Sequence, residues 1–111
     1  MPAETNERRQ FLYQIQPIRP EMLQEGLTER EAAVMGRHFA YLENNMEQGV
    51  LILAGRTLNT DPSTFGIGIF TAGSEEEAWE FVKNDPAVKE GVMHARLFPY
   101  RVALISEANS Q

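Results

Sequence analysis

The apolar positions change period several times along the chain, and each change marks an element. In Phe11 to Ile18, Phe11, Tyr13 and Ile15 share one side and Gln14 and Gln16 the other. That two-residue period predicts a strand, closed by Pro17 and Pro20. A polar loop, residues 19–27, follows. Thr28 stands three residues before Glu31, the spacing of a capping box, so a helix is expected to start there. Met35, Phe39, Leu42 and Met46 recur at helical spacing and predict its buried stripe. Gly49 is placed to end it.

Residues 50–58 and 65–72 predict two further strands, joined by the polar turn LNTDPST. In the second, Gly66 and Gly68 alternate with Phe65, Ile67 and Ile69. Ser74 and Glu77 predict a second capping box, and Ala78, Phe81 and Val82 an inward stripe. This helix is expected to stop at Asn84-Asp85-Pro86, because a residue before proline disfavours helical dihedrals. A turn to Gly91 leads into a last strand over 93–105. There the apolar set changes phase near Pro99, which predicts a bulge or break.

The order is β-α-β-β-α-β, an α+β fold in which right-handed crossovers put both helices on one face of the sheet. Val50-Leu51-Ile52-Leu53 is apolar on both sides, whereas a one-sided sheet alternates. A second copy covering the open face resolves this, so a homodimer is expected.

The remaining composition narrows the function. The 111 residues fit one domain, expected at 11–105 between polar tails at 1–10 and 106–111. The net charge of −6 leaves no basic patch for phosphates, which disfavours nucleic acid. The longest apolar run, Val50 to Ala54, is too short to cross a bilayer. The first ten residues lack the apolar stretch of a signal peptide. A cytoplasmic protein with no membrane partner is expected. With no cysteine and two histidines, no metal site is expected, and no residue pattern requires a cofactor.

His38 and Asp85 are the candidate catalytic residues. His38 falls roughly 70° from the centre of the predicted stripe at helical spacing, at its edge. An imidazole there can exchange a proton near neutral pH; a boundary histidine bonded to a neighbour has the same pattern. Asp85 falls on the inward side of its helix, at the end where the macrodipole disfavours an anion. An inward carboxylate needs a partner. Asp-Pro is also a plain helix cap, and one carboxylate can cap while orienting an imidazole. Gly66 and Gly68 leave a strand face bare, for a small-molecule ligand or for close packing. Arg56 and Arg96 are candidate anion contacts, and each also suits a surface ion pair.

Three stretches carry a family resemblance: GRHFAYLENNMEQGVLILAGRTL at 36–58, FGIGIFTAGSEEEAWEF at 65–81 and NDPAVKEGVMHARLFPYRVAL at 84–104. With PIRPEMLQEGLTERE at 17–31, they resemble the YCII-related (YciI-like) family over nearly the whole domain. The resemblance implies a dimeric α+β barrel with a ferredoxin-like protomer and a His–Asp site at His38 and Asp85. It implies elimination-type chemistry on small ring compounds for part of the family, and regulatory or accessory modules elsewhere. Many relatives carry Gly-Pro where this chain has Gly55-Arg56. Two functions therefore stand: a small-molecule enzyme using a His–Asp dyad, or a non-catalytic dimeric ligand-binding module. A dyad within hydrogen-bond reach, beside an open pocket, separates them.

Overall fold

The alternating segment near the start of the chain forms a central strand, paired on both sides, that the rest of the molecule is built around. The computed structural model describes residues 8–109. Strand β1 runs Arg9–Pro17, a short helix α1 Met22–Glu25, and the long helix α2 Glu29–Glu47. Strands β2 (Leu51–Arg56) and β3 (Gly66–Ala72) follow, then α3 (Glu75–Asn84), α4 (Pro86–Lys89) and β4 (Met93–Tyr100). The sheet order is β2-β3-β1-β4, and every paired ladder is antiparallel. This is the α+β, ferredoxin-like arrangement expected from the element order. No helix among the described residues is long and apolar enough to cross a membrane. Residues 1–7 and 110–111 of the expected tails lie outside the described residues.

Local chemistry explains the helix starts. Thr28 accepts from the Glu31 amide, and the Glu31 carboxylate accepts from the Thr28 amide, so the first capping box is complete. At α3 only half of the expected box forms: Ser74 accepts from the Glu77 amide, but the Glu77 carboxylate takes the Gly73 amide instead.

The pairing register sorts the sheet into two faces. Phe11 pairs with Phe70 and Pro99, Tyr13 with Gly68 and Leu97, and Ile15 with Gly66 and Ala95. These face the helices. Phe11, Phe70 and Phe81 stack in series, with the Phe70 and Phe81 rings 4.1 Å apart, and Tyr13 meets Phe70 and Phe81 edge-on. Burying each such ring contributes roughly 1.5–3 kcal/mol. Gln14 and Gln16 lie on the other face with Leu12, Ile67, Ile69, His94, Arg96 and Phe98, the register partners on either side.

Four expectations change. The buried face of α2 is Glu31, Val34, His38 and Leu42, while Phe39 and Met46 are 63 % and 54 % exposed. The helix is turned so that His38 reaches inward to a partner, Phe39 borders a cavity, and Met35 borders the same cavity while packing on a small second core. The last strand ends at Tyr100 rather than 105, and its ladder with β1 is continuous through Pro99. Pro99 is tolerated because β4 is an edge strand. The register shift lies instead in β2, between Leu51 and Leu53. Finally, 19–27 is not all loop: α1 drives Met22 into a small second core with Val34 and Val92.

Candidate active site

The carboxylate of Asp85 sits where two helices meet end to end. Pro86 forces Asp85 out of the helical region, to φ −63° and ψ 121°, so α3 stops and α4 starts on the same residue. Its Oδ1 accepts from the Ala87 amide at 2.9 Å, capping α4. The side chain is fully buried. Tyr13 donates its hydroxyl to Oδ2 at 2.7 Å, and His38 Nδ1 lies 2.7 Å from Oδ1 and 2.9 Å from Oδ2. The capping and orienting roles are thus filled by one carboxylate.

These contacts define the proton inventory. The Ala87 amide is an obligate donor. Burial, and then the charge of Asp85, push the Tyr13 phenol far above its ordinary range, so it keeps its proton and donates. An ionised carboxylate only accepts, so Nδ1 carries the hydrogen toward Asp85. In the neutral ring this tautomer keeps the lone pair on Nε2, and among the described residues no group hydrogen-bonds to that nitrogen. A second tyrosine, Tyr41, donates to the Phe81 carbonyl at 2.7 Å. Burial and the Asp85 charge push it up to about 12.

His38 borders a pocket of about 410 Å³. Its walls are mostly apolar, including Leu23, Met35, Phe39 and Phe65, with Arg56 and Thr64 as polar members. That volume is at the low end of the roughly 300–1,000 Å³ of small-molecule sites, which suits a compound of one ring.

The sequence profile of the YCII-related domain matches residues 12–100. The chain belongs to the YCII-related family. No curated protein matches significantly. Among solved structures, it is similar to 5-chloro-2-hydroxyhydroquinone dehydrochlorinase from Burkholderia phenoliruptrix, in complex with 2,5-dihydroxybenzoquinone. The TM-score is 0.63 at 27 % identity, covering 83 % of this chain and 93 % of that one. It is also similar to a dimeric ferredoxin-like protein from an uncultured marine organism, with TM-score 0.46 and 12 % identity over 91 % and 95 % of the two chains.

In this YCII-related chain the sequence candidates fall into two groups. His38, Asp85, Arg56 and Gly66 come together on the helix side of the sheet. Arg56 pairs with Gly66, which pairs with Ile15, so its side chain shares their face and borders the pocket. Gly68 serves packing: a Cβ there would overlap the Tyr13 ring. Arg96 pairs with Gln14 on the opposite face and lies over the Phe98 ring at 5.1 Å, away from the pocket. The residue that sequence reasoning missed is Tyr13. Its only signal was a polar tip on the inward face of an otherwise apolar strand stripe, which needs a partner when buried.

Proposed function

We propose that this chain is a small-molecule enzyme whose His38 moves a proton during an elimination on a small ring compound. Nε2 takes a proton from a ring carbon, the freed electron pair forms a double bond, and the leaving group departs with its bonding pair. Asp85 holds the imidazole in the tautomer that leaves Nε2 basic and stabilises the imidazolium that forms. Tyr13 and the Ala87 amide fix the carboxylate in turn. Isomerisation or hydrolysis would draw on the same proton transfer. The observation that carries the proposal is the 2.7 Å contact between His38 Nδ1 and buried Asp85 at the edge of a pocket. The likeness to a dehydrochlorinase, itself an elimination enzyme, favours elimination among the three.

The test is turnover of a panel of halogenated hydroxylated ring compounds, read as halide release. Wild type is expected to turn over a member of the panel. His38→Asn is expected to lose about 10²- to 10⁴-fold in kcat. Unchanged turnover in His38→Asn, with the fold intact, would overturn the role of His38. Ligand binding without any turnover in wild type favours a non-catalytic binding module.

We also infer a homodimer formed through the open sheet face. Leu53, Phe98 and Tyr100 are 41 %, 37 % and 44 % exposed there, and their register partners place them together on the side without helices. A contiguous apolar patch of this kind favours a protein contact. Sedimentation as a monomer at micromolar concentration would remove this inference.

A further inference from the structure

Arg56 is placed in the pocket by strand parity and has no pairing partner among the described residues. Among the described residues its guanidinium makes no ion pair and no hydrogen bond. By contrast, Arg8, Arg19 and Arg37 each have a glutamate within 4 Å. Among the described residues no acidic side chain borders the pocket, and Arg56 is the one lining residue with a fixed charge. Its neighbour across the ladder is Gly66, which has no side chain to cover the Arg56 stem.

The setting makes this cation stand out. The protein carries a net charge of −6, so its overall field opposes anions in solution. A lone guanidinium beside an apolar wall is the local exception; it is exposed, so its attraction to an anion is of the kind that salt screens. Its planar fork matches a carboxylate with two parallel hydrogen bonds. One fixed positive charge suits a monoanion better than a phosphate dianion.

We propose that Arg56 makes the pocket selective for a small planar ring compound bearing a carboxylate. The carboxylate pairs with the guanidinium, the ring lies against the apolar wall near Phe39 and Phe65, and the ring carbon to be deprotonated faces His38 Nε2. The proposal rests on the acid/base role of His38 only for which carbon reacts. The recognition itself is read from binding alone.

The experiment titrates benzoate, benzamide and phenyl phosphate into wild type, Arg56→Met and His38→Asn, followed by ligand-observed NMR. Thermal melts check that each variant is folded. Benzoate is expected to bind wild type more tightly than benzamide does. It is expected to weaken about ten- to a hundredfold in Arg56→Met, while benzamide changes little. Added salt should weaken benzoate and spare benzamide. In His38→Asn the preference for benzoate should persist, so a failure of the catalytic proposal and a failure of this one are told apart. Equal binding of benzoate and benzamide to wild type would overturn it. So would an Arg56→Met that leaves benzoate unaffected, phenyl phosphate binding more tightly than benzoate, or no benzoate binding by wild type.

Discussion

Helix α2 buries two acidic contacts, and they are built from different chemistry. Near its start, Glu31 is 8 % exposed and gripped by Arg19 through two bonds of 2.8 Å, with the Thr28 amide as a third donor. Two turns along, His38 reaches Asp85, whose other partners are a phenol and an amide. Glu31 has a permanent cation that never gives up its charge. Asp85 has a phenol, a backbone amide and an imidazole. The first arrangement can only hold the segment 19–27, with α1 in it, against the helix. The second holds one ring nitrogen still and leaves the other able to exchange a proton. The lesson is that burial of a carboxylate does not mark a site by itself; the kind of donor around it does.

Removing the Asp85 carboxylate should have the largest effect. Asp85→Ala leaves the Tyr13 hydroxyl, the Ala87 amide and the His38 ring N–H buried without an acceptor. A loss of about 3–5 kcal/mol in chemical denaturation is expected, together with loss of any turnover. A change below about 1 kcal/mol would show that the three donors find other partners.

Tyr13→Phe should come next. It removes one donor to a buried carboxylate and leaves the aromatic packing in place. The expected cost is about 1.5–3 kcal/mol, and kcat should fall more than KM rises. If stability drops while kcat is unchanged, Tyr13 supports the core and does not position Asp85.

Glu31→Gln should be milder at neutral pH and should show its difference in the acid limb. Arg19, then the Thr28 amide, hold the Glu31 carboxyl down from 4.5 to about 2. A depressed folded-state value contributes stability that is complete above the unfolded value and is lost as pH falls through the folded one. The gap between wild type and Glu31→Gln should therefore close between about pH 4.5 and pH 2. A gap independent of pH across that window would mean that the charge of Glu31 contributes nothing.

The smallest effect is expected from Arg96→Gln. It lies on the far face of the sheet, so stability should stay within about 0.5 kcal/mol and turnover should not change. A selective loss of turnover would place Arg96 in the site through an assembly contact.

Much of this molecule was legible before any tertiary contact was known. Thr28 and Glu31 marked the start of α2 because capping uses only neighbours in sequence. Asp85 before Pro86 marked the end of α3 for the same reason. The alternation of Phe11, Tyr13 and Ile15 named the inward face of β1. The helical phase of α2 is not readable from periodicity because Phe39, a pocket wall, and Met46, an exposed residue, are as apolar as a core stripe. Periodicity cannot tell an apolar pocket wall from an apolar core.

What the chain alone determined, then, was the order of elements, where helices begin and end, and that Asp85 turns inward. Each depends on backbone and side-chain preferences within a few residues. The tertiary structure decided which side of α2 faces in, that Tyr13 is the third member of the His38–Asp85 contact, and that Arg56 and Arg96 lie on opposite faces of one sheet. Those outcomes rest on strand register and helix rotation. Both are settled by which distant donors and rings can be satisfied together, as with Tyr13 and Asp85, 72 residues apart.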